Sequence, residues 1–201
     1  MGKGTCYPFV IQYLTDKIKP DDLVLETGCG GALYRNHIDQ LGGHYTGCDV
    51  PNLLYQTGSD IDTYCSADGL PFKNNTFDLI FNQGAFDYMP NPAIVISESF
   101  RVLKPGGVLA IFTYRKDVLE MIDHNCKERK RNWEIHHHVF SKHQLFNWLN
   151  TQGFTAKEIT AELDTIQSKG FKRKIMDALH IYQFLQSKYS IWRIYEAEKP
   201  I

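Results

Sequence analysis

The stretch Leu23-Val24-Leu25-Glu26-Thr27-Gly28-Cys29-Gly30-Gly31-Ala32 places an apolar run directly before an acid and a glycine-rich turn. Such a run is typical of a parallel strand that is buried on both faces. Glycines after a strand let the backbone turn tightly and approach a ligand without Cβ atoms in the way. The stretch therefore predicts a nucleotide-type ligand above the carboxyl end of a buried strand.

The turn departs from the fingerprint of dinucleotide-binding proteins. Gly28 and Gly30 fit the first half of Gly-x-Gly-x-x-Gly, but Leu33 stands at the third glycine. Glu26 would repel a pyrophosphate, whereas it would attract an ammonium group or ribose hydroxyls. We therefore disfavour a nicotinamide dehydrogenase, which needs pyrophosphate contacts, and expect a ligand that carries an amine or a sugar.

Strand and helix patterns alternate along the chain. A second strand ends at Asp49, where a carboxylate is suited to accept both ribose hydroxyls. This rhythm predicts a parallel sheet. We expect strands near 23–26, 44–49, 61–65, 77–82, 107–114, 154–159 and 190–197, and helices near 8–18, 33–41, 92–103, 141–152 and 168–188.

Between Leu23 and Tyr114 the chain resembles the class I S-adenosylmethionine-dependent methyltransferases, in the branch of ubiquinone-type and other small-molecule enzymes. Four motifs carry the resemblance: the Glu26 turn, Asp49, the segment 65–72, and Pro105-Gly106-Gly107. The resemblance implies an α/β fold, with a Rossmann-like, seven-stranded, mostly parallel sheet, helices on both faces and an antiparallel last strand. It also implies S-adenosyl-L-methionine as cofactor and S-adenosyl-L-homocysteine as product.

The resemblance assigns cofactor-binding residues to the methionine end, the ribose, the adenine and a backbone group after the fourth strand. In chain order they are Glu26, Gly28, Gly30, Asp49, Ser66, Ala67, Asp68 and Gln83. Ser66 replaces the acid that the family uses for the adenine amine. Its hydroxyl is still able to accept one hydrogen bond.

Methyl transfer asks a protein mainly to orient the acceptor in line with the S–CH₃ bond and to remove a proton where needed. The candidates near the methyl group are Asp87, Tyr88, Tyr114 and, as a general base with a suitable pKa, His137. Tyr88 and Asp87 have an alternative role in closing the loop, and Tyr114 in packing. The run 136–138 predicts no metal site, because adjacent histidines project in different directions.

Length and charge favour one domain over 1–201, with substrate-capping insertions at about 115–137 and 164–189. The 201 residues carry a net charge of −1, which offers no surplus of positive charge for nucleic acid. Both insertions are locally basic, so they are either solvated faces or a surface for an anionic substrate. The expected partner is a small-molecule substrate, without stable nucleic-acid binding and without a transmembrane segment; the oligomeric state stays open.

Five cysteines, an odd number without a Cys-x-x-Cys pair, suit a reducing compartment. The first residues lack the apolar core of a signal peptide, so we expect a cytoplasmic protein.

The sequence therefore predicts a methyltransferase that acts on a small molecule by direct in-line displacement. Asn82-Gln83-Gly84-Ala85 stands where base-methylating enzymes carry Asn-Pro-Pro-Tyr, which disfavours methylation of nucleic-acid bases. The replacements at Ser66 and Tyr88 keep open a non-catalytic regulatory or scaffold protein that binds the same cofactor. A methyltransferase acting on a macromolecule is the other alternative.

Overall fold

The computed structural model describes residues 6–51, 61–115, 140–160 and 192–201. Four helices fall in these ranges: α1 (Pro8–Lys17), α2 (Arg35–Gln40), α3 (Pro92–Val102) and α4 (Lys142–Gln152). A 3₁₀ turn covers Phe86–Tyr88. The strands are β1 (Leu23–Thr27), β2 (His44–Asp49), β3 (Thr63–Tyr64), β4 (Phe77–Gln83), β5 (Leu103–Tyr114), β6 (Thr155–Glu158) and β7 (Trp192–Glu198).

The strands form one seven-stranded sheet in the order β3-β2-β1-β4-β5-β7-β6. β7 is antiparallel to both β5 and β6, while the pairs from β3 to β5 are all parallel. The predicted Rossmann-like fold, with its antiparallel last strand, is confirmed. Because the strand order reverses at β1 and β4, a crevice opens beyond their carboxyl ends, where ligands of such sheets bind.

Each face of the sheet is covered by its own apolar core. On one side Val24 and Phe81 pack with residues of α1 and α2, such as Phe9 and Ile38. The adjacent residues of the same two strands, Leu25 and Ile80, point to the other side and pack with α3 and α4. This alternation explains why β1 and β4 read as continuous apolar runs.

The fifth strand begins earlier than predicted. β5 starts at Leu103, not at residue 107, and the Pro-Gly-Gly stretch forms a bulge inside it. Phe77 pairs with Leu103, but Leu79 pairs with Val108, so the intervening residues are extruded from the ladder. Gly106 adopts φ +77° there and donates its N–H to the carbonyl of Lys199 at 2.8 Å.

Two other predicted elements are shorter in the structure. The strand expected over 61–65 covers only Thr63–Tyr64, and the helix expected over 33–41 covers only Arg35–Gln40. In the second case the chain must first leave the glycine turn, where Ala32 holds φ +49°. A left-handed residue interrupts a right-handed helix, so α2 starts beyond it.

Local signals predicted α4 correctly. Ser141 and Gln144 form a capping box, in which the Ser141 hydroxyl accepts the Gln144 N–H at 3.2 Å. Gly153 ends the helix at φ +96°. The expected insertions at 115–137 and 164–189 and the helix near 168–188 lie outside the described residues, apart from Arg115. Within the described ranges, no helix has both the length and the apolar character to cross a bilayer.

Candidate cofactor and acceptor site

The glycine turn after β1 has one closed and one open position. Gly28, at φ +71°, donates its N–H to the Cys48 carbonyl at 2.8 Å. A Cβ at Gly28 would lie 2.5 Å from Cβ of Ala85, so packing alone excludes a side chain there. Gly30 has φ +52°, and no heavy atom of the described residues lies within 4 Å of such a Cβ there. The turn therefore packs at Gly28 and faces open space at Gly30.

Asp49 lies at the end of β2, against this open position. Its Oδ2 accepts the Gly30 N–H at 2.7 Å, and its Oδ1 accepts the Val50 N–H at 2.7 Å. Each carboxylate oxygen has a further lone pair for a ligand hydroxyl. The structure thus brings together two predicted cofactor residues that are nineteen positions apart.

The segment predicted to contact adenine continues from the same point. Cys65 donates its N–H to the Asp49 carbonyl at 2.9 Å, which sets the start of the loop beside the β2 end. A turn then closes with the Gly69 N–H donating to the Ser66 carbonyl at 3.0 Å. Ala67 is buried, whereas Ser66 and Asp68 are half-buried.

Glu26 lies inside the protein rather than on the open surface of the turn. It is 3% exposed, and its Oε2 accepts the hydroxyl proton of Tyr45 at 2.5 Å. Burial raises the pKa of Glu26 to about 8; the Tyr45 hydrogen bond lowers it, the Asp49 charge raises it and Arg35 lowers it. A contact of Glu26 with the cofactor stays a prediction.

Asn82 organises the site, a role that was not predicted from the sequence. Its Nδ2 donates to the Thr27 carbonyl at 2.6 Å, and its Oδ1 accepts the Ala85 N–H at 3.2 Å. The fully buried amide thus ties the carboxyl end of β1 to the loop after β4, where Gln83 ends the strand. The sequence signal for this role was the position of Asn82, a polar residue that directly follows the apolar run of β4.

Asp87 lies under the predicted acceptor side. It is fully buried, and the Thr113 hydroxyl lies 2.6 and 2.7 Å from its two oxygens. Burial raises the pKa of Asp87 to about 6, against hydrogen bonds from Thr113 and from backbone N–H groups that lower it. The carboxyl group therefore anchors the 3₁₀ turn to β5.

Aromatic residues surround the remaining acceptor candidates. Tyr114 stacks on Trp192 with ring centroids 4.2 Å apart, and Tyr7 meets Trp192 edge-on at 5.0 Å. A Cβ at Gly84 would lie 3.4 Å from the Trp192 ring, so this cluster borders the β4 end. Tyr88 is 41% exposed beside it. Neither Tyr7 nor Trp192 was predicted from the sequence, because only the fold brings these distant parts of the chain together.

The sequence led to two predictions about histidines, a general base at His137 and no metal site in the run 136–138. His137 lies outside the described residues, as does the whole run 136–138. Among the residues that the structure does describe, no group of three or more His, Cys, Asp or Glu side chains is arranged to hold a metal ion.

Residues 25–111 match the family model described as a methyltransferase domain. A methyltransferase domain thus occupies residues 25–111 of this chain. The predicted family is thereby confirmed. The matched range includes every predicted cofactor residue from Glu26 to Gln83, and also Asp87 and Tyr88.

The curated relatives of the methyltransferase domain are named for different methyl acceptors. A sterol 24-C-methyltransferase of Gibberella zeae is 31% identical over 129 residues, covering 57% of this chain and 33% of that protein. A probable tRNA methyltransferase 9B of Mus musculus is 34% identical over 119 residues, covering 56% and 26%. A ubiquinone biosynthesis O-methyltransferase of Xylella fastidiosa is 28% identical over 120 residues, covering 54% and 49%. The chain thus spans between a quarter and a half of the length of these relatives.

Solved structures share the fold over almost the whole chain. Phosphoethanolamine N-methyltransferase 2 of Haemonchus contortus, solved with phosphomonomethylethanolamine and S-adenosylhomocysteine, aligns with a TM-score of 0.63 at 18% identity. The alignment covers 96% of this chain and 52% of that one. At this identity the likeness concerns the fold alone.

Proposed function

We propose that this protein is an S-adenosylmethionine-dependent methyltransferase that transfers the methyl group to a small-molecule acceptor. The observation that carries the proposal is the pairing of Asp49 with the open Gly30 position at the crevice of a methyltransferase domain. A carboxylate with lone pairs beside an unobstructed backbone suits a ribose.

The positions of the predicted cofactor residues fit S-adenosylmethionine in one orientation across the strand ends. Asp49 would hold the ribose above β2, and the loop of Ser66, Ala67 and Asp68, which leaves β3, would receive the adenine. The amino-acid end then lies toward the Glu26 strand. Because the sheet continues from β1 to β4 and β5, the acceptor side would lie beyond Gln83, at the carboxyl ends of β4 and β5.

When bound, S-adenosylmethionine supplies a methyl group already activated on a sulfonium. The chain's own task is to orient the acceptor, exclude water and take up a proton. Tyr88 in the 3₁₀ turn and Tyr114 at the end of β5 would position the acceptor, while Asp87 holds the turn against β5. Orientation of this kind contributes roughly 7–11 kcal/mol to lowering a barrier. We assign proton removal to His137, whose imidazole has a suitable pKa for a general base.

Several observations support a small acceptor over a macromolecule. Relatives of the domain are named for sterol and ubiquinone substrates, and the net charge of −1 gives no general attraction to nucleic acid. One observation favours a second candidate, a transfer RNA, because one relative is named as a probable tRNA methyltransferase. We also infer a cytoplasmic location, which the free thiols at Cys6, Cys29, Cys48 and Cys65 support.

Calorimetry with S-adenosylhomocysteine tests the cofactor site. We expect the protein to bind it and Asp49→Ala to bind about 10–100-fold more weakly, since hydrogen bonds to a charged group are lost. Asp16→Ala, which removes an exposed carboxylate of α1, is the matched control and keeps full affinity. No binding by well-folded protein would refute the proposal.

Transfer of label from S-adenosylmethionine separates the alternatives. Label in a small-molecule fraction of a cell extract supports the proposal, and label in transfer RNA supports the second candidate. Cofactor binding without transfer to any fraction favours the scaffold. In either productive case Asp49→Ala should strongly reduce the signal at a cofactor concentration near the wild-type Kd, and Asp16→Ala should not.

A further inference from the structure

The guanidinium group of Arg101, in the last turn of α3, is completely engaged in hydrogen bonds. Nη1 donates to the carbonyl of Phe72 at 2.8 Å and to Oδ1 of Asn74 at 2.9 Å. Nη2 donates to the carbonyl of Leu70 and to Oε2 of Glu98, both at 2.8 Å, and Nε donates to Oε1 of Glu98 at 2.8 Å. All five N–H donors of the side chain thus have a partner, and three of the bonds fix the segment that follows the loop proposed for adenine.

Glu98 lies one turn earlier on α3 and holds the same segment. Besides the two bonds from Arg101, its Oε2 accepts the backbone N–H of Leu70 at 2.9 Å. The hydrogen bonds from Arg101, together with that from Leu70, outweigh burial and lower the pKa of Glu98, so the carboxylate stays ionised near neutral pH. The N–H and the carbonyl of Leu70 are therefore both bound by this pair, Glu98 and Arg101, which we call the α3 clamp.

Apolar packing fixes the side chains of the same segment. Leu70 is 4% exposed and lies in the core that also contains Val95 of α3. Phe72 meets Phe77 of β4 edge-on, with ring centroids 5.0 Å apart. The backbone is bound by the α3 clamp while the side chains are buried against the fold, so the chain leaves the loop at one defined position.

The loop proposed for adenine, residues 66–68, is held between two fixed points. At its start the Cys65 N–H donates to the carbonyl of Asp49, the proposed ribose ligand, at 2.9 Å. At its end Gly69 closes a turn onto the Ser66 carbonyl at 3.0 Å, and the next residue is Leu70 in the α3 clamp. A purine is joined to its ribose by a single bond, so its distance from Asp49 is set by the ligand. The loop fits the base only where both points hold it at that distance.

The chemistry of the loop makes its position important. Ser66 offers a hydroxyl and Ala67 a backbone N–H, so its first two residues would bind the base through neutral hydrogen bonds. Such bonds weaken steeply when their distance or angle departs from the preferred range. A small displacement of the loop would therefore cost much of the affinity for adenine and leave the ribose and amino-acid ends of the site unchanged.

We propose that Glu98 and Arg101 are positioning residues for adenine recognition. They fix the backbone of Leu70 and thereby place residues 66–68 at the distance from Asp49 that the base requires. Both act through the loop and neither contacts the cofactor. The inference rests on the proposed cofactor site.

Two ligands separate an effect on adenine from a general effect on the site. S-Adenosylhomocysteine carries the base, whereas S-ribosylhomocysteine keeps the ribose, the thioether and the amino-acid end but lacks the base. Calorimetry gives the Kd of the first ligand directly and that of the second by displacement. The ratio of the two Kd values measures what adenine contributes, and we expect it to be about 100-fold in the wild-type protein.

The variant Arg101→Met tests the positioning role. We expect about tenfold weaker binding of S-adenosylhomocysteine and less than about a twofold change for S-ribosylhomocysteine. Arg101→Lys should lower the ratio almost as far, because an ammonium group cannot reproduce the planar fork of five donors. Lys104→Met is the matched control, because Lys104 also pairs with a carboxylate that accepts a backbone N–H. That carboxylate is Asp78, 2.7 Å from Nζ and 2.9 Å from the Leu23 nitrogen, and both affinities should stay unchanged.

The outcomes are distinguishable from those of the proposed function. If the wild-type protein binds neither ligand, the cofactor site itself is refuted. If it binds S-adenosylhomocysteine but Arg101→Met leaves the ratio unchanged, only the positioning role is refuted, and equal weakening of both ligands would make Arg101 a structural residue. If that variant does not fold, Glu98→Gln decides, since it keeps an acceptor for the Leu70 N–H and removes the charge opposite Arg101. We expect it to lower the ratio about threefold, and an unchanged ratio would overturn the proposal.

Discussion

Two buried glutamates on the same face of the sheet have opposite electrostatic environments. Glu26 is 3% exposed and Glu196 is 7% exposed, and each accepts a tyrosine hydroxyl, from Tyr45 and Tyr13 respectively. Glu196 also bonds to Nζ of Lys17 at 2.6 Å and of Lys157 at 3.1 Å.

The lysines reverse the direction of the pKa shift. Burial raises the pKa of Glu196, but the hydrogen bonds from Lys17, Lys157 and Tyr13 outweigh it, so the pKa lies below its ordinary value. Burial dominates at Glu26 and raises its pKa to about 8. A buried carboxylate with cations beside it is held in its ionised form, whereas one without them is held in its neutral form.

The largest effect on stability should come from Glu196→Ala. The change removes the acceptor of a buried tyrosine hydroxyl and the counter-ion of two lysines, and we expect a loss of about 2–4 kcal/mol in the free energy of unfolding. Urea denaturation measures this loss. Glu198→Ala, an exposed change on the same strand, should cost less than about 0.5 kcal/mol. If Glu196→Ala were equally mild, Glu196 would not be a structural carboxylate.

Glu26→Gln should change the pH dependence of stability. In the unfolded chain Glu26 ionises near its ordinary pKa of 4.5, whereas in the folded protein it ionises near 8. The folded state therefore binds the extra proton, and the free energy of unfolding falls as pH rises from about 4.5 to 8. Denaturation at several pH values should show Glu26→Gln gaining about 1–3 kcal/mol over wild type across that range.

Glu196→Gln should behave in the opposite way. The folded-state pKa of Glu196 is lowered, so its contribution is present above the unfolded pKa and disappears as pH falls through the folded one. Its difference from wild type should therefore shrink in acid. Parallel pH profiles for the two variants would contradict the contrast.

Gly47→Ala should disturb the hydrogen bond between Tyr45 and Glu26 and leave the contacts of Glu196 unchanged. The new Cβ would push the Tyr45 ring away from Glu26, and overpacking of this kind costs about 1–2 kcal/mol. Thermal denaturation and S-adenosylhomocysteine calorimetry should both report the change. Gly69→Ala places its Cβ in open space and is the control for stability. An unchanged melting temperature for Gly47→Ala would show that the Tyr45 side chain can move aside without a loss of stability.

The smallest effect should come from Lys17→Met, which removes one of the two lysine ammonium groups beside Glu196. Because the Lys17 side chain is 37% exposed, the ion pair is partly screened and contributes about 0.5–1 kcal/mol. The remaining carboxylate has less positive charge beside it, so acid should destabilise the variant less steeply. Lys19→Met, at an exposed neighbouring position, is the control.

The sequence by itself determined the parts of the molecule that depend on neighbouring residues. The glycine turn after β1, the acid at Asp49 and the Ser141 cap were all predictable, because turns, strand ends and caps are formed by residues close in the chain. The strand alternation, together with the family resemblance, predicted the sheet. The start of β5 was misplaced, because its bulge depends on pairing with β4 and on Lys199 at the far end of the chain.

Only the tertiary structure decided whether each buried glutamate has cations beside it. Glu26 and Glu196 are the same residue type, each at an inward-facing position of a strand. What separates them is the arrival of Lys17 from α1 and Lys157 from β6 at one carboxylate but not at the other. The same holds for Asn82, which joins two strands, and for Tyr7 beside Trp192. Charge and hydrogen bonding act over a few ångströms in space, so they follow strand order and register rather than distance along the chain.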